Sequence, residues 1–166
     1  MSEIWDVLDI DGDKTGRLHE RGQPMQKGDY HLVVHVWIVN SKREYLISKM
    51  VPGTKDISGK WQTTGGHAVA GDDSLTTALK ETKEEIGITL DFNNGQLFKR
   101  YIEGCHGICD VWLFRQDVDI ADVVLQPDET CDAMWAGKEK IMKMVDEGSF
   151  RPKTSYPYLE DLLCYS

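Results

Sequence analysis

Apolar residues run almost unbroken through HLVVHVWIVN (31–40), and a second apolar run follows in EYLISKM (44–50). Runs of this length, rich in β-branched and aromatic residues, predict two strands, and the polar SKRE between them predicts a hairpin. GKWQTTGGH (59–67) predicts a short strand running into a glycine turn. The period then changes. In SLTTALKETKEEIG (74–87), Leu75, Ala78, Leu79, Thr82 and Ile86 recur at helical spacing, Ser74 is placed to cap the start, and Gly87 is placed to end it. GQLFKRYIE (95–103) and ICDVWLFRQ (108–116) predict further strands, and CDAMWA (131–136) a weaker one. KEKIMKMVDEG (138–148) predicts a second helix, with Ile141, Met142, Met144 and Val145 apolar, and YPYLEDLLCYS a short terminal helix. Helices separated by several strands imply a mixed sheet with helices packed on it. With 166 residues and no repeat or linker, one domain spanning 1–166 is expected, large enough for its own core.

Composition narrows the setting. The chain is 40% hydrophobic and 28% charged, as expected of a soluble globular protein. No stretch approaches the roughly 20 apolar residues of a membrane span. The start, MSEIWDVLDIDGD, is acidic and lacks the basic-then-apolar pattern of a signal peptide, which places the protein in the cytoplasm. A net charge of −9 argues against a nucleic-acid polymer as partner, because phosphate backbones require a basic face. A small phosphorylated ligand stays compatible, provided a metal or a local basic group neutralises it. Whether the chain acts alone or as a homodimer is open at this level.

Two stretches resemble metal sites but lack essential parts. DIDGDKTGRLHE (9–20) puts Asp9, Asp11, Asp13 and Glu20 at calcium-loop positions, yet Lys14 occupies the place that needs glycine, and only eight residues precede Asp9. A turn between two short strands, IWDVLD and TGRLHER, accounts for the same residues. CHGIC (105–109) has neither the spacing of a zinc knuckle nor a second cluster, so a bend between strands is expected there. The four cysteines, Cys105, Cys109, Cys131 and Cys164, read as reduced thiols.

KETKEEIG (80–87) is different. Glu81 and Glu85 are four apart and Glu84 is three from Glu81, so all three carboxylates fall on adjoining parts of one helix, where like charges repel by a few tenths of a kcal/mol per pair. Lys80 is placed to pair with Glu84. A solvated acidic face is the ordinary explanation of such a run. The preceding WQTTGGHAVAGDDS changes the balance, because Gly65 and Gly66 let the backbone approach whatever the helix holds. Carboxylates beside an open carbonyl are hard oxygen ligands, suited to magnesium or manganese.

Residues 66–88, GHAVAGDDSLTTALKETKEEIGI, resemble the Nudix box: Gly, five residues, Glu, seven residues, then Arg-Glu, an aliphatic, any residue, Glu-Glu, any residue, Gly and an aliphatic. Gly66, Glu81, Glu84, Glu85, Gly87 and Ile88 stand in register. Asp72 replaces a Glu, Lys80 an Arg and Thr82 an aliphatic. The order of motifs from residue 3 to about residue 150 is similar to the Nudix branch that shares its front end with isopentenyl diphosphate isomerases. The resemblance implies an α/β/α sandwich around a mixed sheet, with the box as loop, helix, loop. It also implies hydrolysis of a diphosphate joined to another group, with Mg²⁺ or Mn²⁺ as cofactor. Carried over residue by residue, it makes Glu81, Glu84 and Glu85 metal ligands with the Gly66 carbonyl, Glu84, Glu85 and Glu129 catalytic candidates, and Lys80 and Asp72 supports. Glu129 enters because it lies six residues before Trp135, where the family often has a Glu.

The departures have physical consequences. Lys80 keeps the charge but not the planar fork of arginine. Asp72 is one methylene short, and the Thr82 hydroxyl, on the buried side, needs a backbone acceptor. They leave a catalytically weak or purely nucleotide-binding module as an alternative. Isomerase chemistry is a further one, but Gly65 and Gly66 stand where that enzyme has its catalytic thiol, and no cysteine precedes Cys105. For substrate contacts, His67 follows the glycine pair, His31 and His35 lie nearby along the chain, and Trp37, Trp61, Tyr101 and Trp112 are candidates for stacking on a base. The substrate itself is not legible.

Overall fold

The computed structural model describes residues 2–53 and 57–166. An N-terminal hairpin, β1 (Ile4–Leu8) and β2 (Lys14–Glu20), precedes the main sheet, and Asp9 closes its turn by accepting hydrogen bonds from the backbone N–H groups of Asp11 and Asp13. The main sheet contains β3 (His31–Val39), β4 (Glu44–Met50), β5 (Trp61–Gln62), β6 (Thr64–His67), β7 (Gly95–Glu103), β8 (Gly107–Arg115) and β9 (Thr130–Gly137). Its central order is β5-β4-β3-β8-β7, with β6 paired to β3 and β9 paired to β4. β3 and β8 run parallel along the whole of β3, and the other pairs are antiparallel, so the sheet is mixed.

The unbroken apolar run of β3 follows from burial on both faces. Val34, Val36 and Ile38 pack with Ala78 and Ile86 of α1 (Ser74–Ile86). Val33, Trp37 and Val39 pack on the opposite face with Ile141 and Met144 of α2 (Lys138–Glu147), with Tyr156 and Tyr158, and with Leu159 and Leu162 of α3 (Leu159–Tyr165). Each large side chain buried in this way contributes roughly 1.5–3 kcal/mol. Helices therefore cover both faces, as the sandwich expectation requires. None of the described helices is long and apolar enough to cross a membrane.

Three local expectations change. Asp73, not Ser74, caps α1: its carboxylate accepts from the Thr76 N–H at 2.7 Å, while the Ser74 hydroxyl accepts from the Trp112 indole. The glycine pair 65–66 is not a turn but lies inside β6, in register with His35 and Val34. CDAMWA belongs to a full strand, β9, that pairs along the length of β4; β3 and β4 share only the Val39–Tyr45 register at their hairpin end.

Candidate active site

α1 carries its chemistry on the side that faces β6. Thr77, Ala78, Thr82 and Ile86 are buried, and the Thr82 hydroxyl finds its acceptor in the Ala78 carbonyl at 2.8 Å. Glu84 is exposed, Glu81 is half-buried, and Glu85 is only 7% exposed. The helix stops at Gly87, whose φ of 71° and tight packing on Val124 both exclude a side chain. Lys80 does not pair with Glu84. Its Nζ lies 2.5 Å from Asp72 Oδ2, because the loop before α1 brings Asp72 alongside the helix. Two of the three altered box positions therefore meet each other, lysine to aspartate, and tie the loop to the helix.

β6 sets the distance to the carboxylates. A Cβ on Gly66 would stand 2.2 Å from the Glu81 carboxyl carbon, so the bare backbone of Gly66 makes room for that group. On the other side, the Glu85 carbonyl accepts from the Gln126 N–H and the Thr130 hydroxyl. These bonds pin the loop before β9 to the end of α1 and bring Glu129 into the same cleft, where its charge acts on both Glu81 and Glu85.

Burial and mutual repulsion dominate the electrostatics. Burial first, then Glu81 and Glu129, push the Glu85 carboxyl up to about 8. Burial first, then Glu84, Glu3 and Glu129, push Glu81 up to about 7. Glu85 Oε2 is buried without a hydrogen-bond partner. Both carboxyls sit above their ordinary 4.5, so the metal-free native state binds more protons than the unfolded chain. Their contribution to stability is complete below about pH 4.5 and is lost as pH rises through about 7 and 8. The buried histidines act oppositely: burial lowers His31 to about 4 and His35 to about 3, so their contribution is lost as pH falls. The difference between wild type and Glu85→Gln isolates the glutamate. In chelator, the variant is expected to melt with wild type near about pH 4 and several degrees above it near about pH 9, a gap on the order of a few kcal/mol. Equal melting temperatures at both pH values would show that Glu85 is not desolvated.

The carboxylates border a cleft of about 670 Å³. Of the residues named from sequence, Gly66, His67, Glu81, Glu84, Glu85, Glu129 and His35 line it. His31 stands behind His67, its Nδ1 3.4 Å from that of His67, with the Trp5 indole stacked on both rings. Trp61 does not line the cleft. Successive strand residues face opposite ways, so Gln62 faces the cleft and Trp61 packs against the core. Trp37 is wholly buried, and Trp112 and Tyr101 pack against the two core clusters. Sequence reasoning missed Glu3, Arg21, Glu103 and Arg151, which line the same cleft from the residue before β1, a loop, β7 and the segment after α2. No spacing rule connects residues so far apart.

The donor set fits a hard divalent cation. A buried carboxylate oxygen without a partner, a second carboxylate in a glycine cradle and two more at the rim supply oxygen ligands and excess negative charge. The box carboxylates do not close into one compact three-ligand cage among the described residues, and Mg²⁺, which keeps several waters, does not require one. CHGIC forms no cluster of its own: Cys105 is exposed and Cys109 buried.

The NUDIX domain family matches residues 29–159. An uncharacterized Nudix hydrolase of Listeria innocua is 35% identical over 152 residues, which cover 90% of this chain and 89% of the relative. An isopentenyl-diphosphate Delta-isomerase of Pectobacterium atrosepticum is 28% identical over 83 residues, 49% of this chain and 46% of the isomerase. The crystal structure of DR0079 from Deinococcus radiodurans covers 96% of this chain and 98% of its own at 15% identity, with a TM-score of 0.75, a likeness of fold.

Proposed function

The chain belongs to the Nudix family of hydrolases, and from that premise we propose that it cleaves a phosphoanhydride bond in a nucleoside diphosphate linked to another group, or in a similar small diphosphate, with Mg²⁺ or Mn²⁺ bound. The observation that carries this reading is the unpartnered Glu85 Oε2, buried beside a second carboxylate that the Gly66 backbone admits. An acidic cleft repels a polyanion unless a cation is placed in it.

Glu81, Glu84 and Glu85 would hold the ion, with Gly66 as a backbone contributor. When bound, it supplies neutralisation of the diphosphate, polarisation at phosphorus and a lowered pKa for an attacking water. Glu129 is exposed on the loop opposite α1 and accepts a proton at the edge of the cleft. Arg21, which pairs with Glu3 at 2.9 Å, brings positive charge to the same space. Burial pushes His67 below the ordinary imidazole range, and its ring offers an N–H to a phosphate oxygen. Isomerase chemistry finds no support in this cleft: Gly65 occupies the thiol position, and no cysteine lines the cleft among the described residues.

The test is turnover of nucleoside diphosphate sugars, dinucleoside polyphosphates, nucleoside di- and triphosphates and prenyl diphosphates, in Mg²⁺ and in chelator. Hydrolysis of at least one compound, abolished by chelator, is expected. Binding without turnover across the whole set would make the protein a nucleotide-binding module instead.

A further inference from the structure

The same cleft holds a second polar group of residues that the hydrolytic chemistry does not use. Arg151 is fixed there on several sides. Its backbone N–H donates to the Trp61 carbonyl at 2.9 Å, its guanidinium lies 5.4 Å over the Tyr156 ring, and Nη1 contacts Gln62 Oε1 at 3.4 Å. Its Nε is buried with no acceptor, and among the described residues no carboxylate forms an ion pair with it.

His35 adds a donor of fixed direction. The Tyr158 hydroxyl is buried and has two neighbours, the Trp37 indole Nε1 at 2.9 Å and His35 Nδ1 at 2.8 Å. An indole N–H can only donate, so the Tyr158 oxygen accepts from Trp37 and its own proton goes to His35 Nδ1. The ring proton of neutral His35 is then on Nε2, 3.7 Å from Glu103 Oε1. Tyr101 Oη also approaches that oxygen, at 3.5 Å. Both contacts are too long to satisfy it. Glu103 Oε2 has no donor among the described residues. Cys109 lies close by, with its ligand atom and those of His35 and Glu103 all within 4.8 Å of one another, but a protonated Nε2 does not bind a metal, and burial holds the thiol protonated.

We propose that Arg151, Glu103 and His35 form the pocket for the base of the nucleoside diphosphate, and that this base has a lactam edge, a ring carbonyl next to a ring N–H. The assignment rests on the hydrolase reading above. A phosphate or carboxylate in this pocket would face Glu103, and an ammonium would face Arg151. A neutral edge with an acceptor beside a donor meets both, the carbonyl taking the Arg151 and His35 donors and the N–H donating to Glu103. A flat ring also suits the wall, where Met50 and Ile57 supply apolar surface. Adenine has no ring carbonyl and no ring N–H on that edge, so it leaves Arg151 or Glu103 unsatisfied, a penalty that polar pockets convert into selectivity.

GDP-glucose, UDP-glucose and ADP-glucose, which share the sugar, test it by kcat and KM in wild type, Glu103→Ala and Arg151→Met. Calorimetry of GMP, UMP and AMP on the Glu85→Gln protein reads binding without hydrolysis. Expected are KM values for the guanine and uracil compounds about tenfold below that for ADP-glucose, a preference that both variants abolish with kcat changed less than about twofold. GMP and UMP should also bind more tightly than AMP. Equal KM values for the three bases, or a preference that survives in both variants, overturns the pocket while hydrolysis itself stands. If none of the three sugars is hydrolysed, the hydrolase reading is left to the wider panel, and the calorimetric ranking alone decides the pocket: GMP and UMP above AMP sustains it, and equal affinities remove it.

Discussion

Glu85→Gln is expected to lower Mg²⁺-dependent turnover by about 10³-fold, a loss of about 4 kcal/mol of transition-state stabilisation, while the protein stays folded. Glutamine keeps the size of the side chain and removes the charge. The oxygen that has no partner in the protein then no longer carries the charge that draws a cation to it. The fold should not suffer, because Glu85 is a buried carboxyl pushed up to about 8, and the metal-free protein gains from losing it. The measurement is kcat/KM on any substrate the panel yields, with circular dichroism melting in chelator. Turnover within a few-fold of wild type would remove Glu85 from the site. Lost turnover together with a lost folding transition would show a structural role.

Two neighbouring glycines should respond to alanine in opposite ways. Neither has a backbone conformation closed to alanine, so the difference is one of space. At Gly66 the new methyl meets the end of a flexible side chain, the Glu81 carboxylate, whose carbon stands at 2.2 Å. Glu81 can swing aside at little cost to folding, but the carboxylate then leaves its place. Gly66→Ala should therefore lose about 10²-fold in turnover, about 2.7 kcal/mol, with nearly unchanged melting in chelator. At Gly65 the methyl meets the Val34 carbonyl at 2.7 Å, part of the β3 backbone, which cannot move without disturbing the sheet. Gly65→Ala should cost roughly 1–3 kcal/mol of stability. Melting and turnover measured on both variants decide the matter. If Gly66→Ala kept full activity, Glu81 would not be needed where it stands.

The pairing of Lys80 with Asp72 joins two of the three departures from the box in one contact at 2.5 Å. Neither residue touches the buried carboxylates. What they hold is the loop that leads from β6 into α1.

Much was determined by the sequence alone. The β-branched run of β3, the 3.6-residue period of α1 with its glycine stop, and the glycine stop of α2 are local patterns, and neighbouring residues suffice to produce them. The three glutamates of the box belong to this class, since helical spacing by itself puts them on one side. The spacing from Gly66 to Ile88 was legible as a resemblance to the Nudix box. The tertiary structure decided whatever depends on which distant segments pair. The register of β6 on β3 made Gly65 and Gly66 strand residues instead of a turn, and the pairing of β5 with β4 turned Gln62 to the cleft and Trp61 away from it. The path of the loop before α1 gave the cap to Asp73 and the partner of Lys80 to Asp72. Burial pushed Glu85 far above the ordinary carboxylate range while its sequence neighbour Glu84 lies exposed, although in sequence the two are alike. The gathering of His35, Glu103 and Arg151 in one cleft needed β3, β7 and the segment after α2 to meet. Such a meeting depends on strand pairing and packing across the whole chain, and no short-range period encodes it.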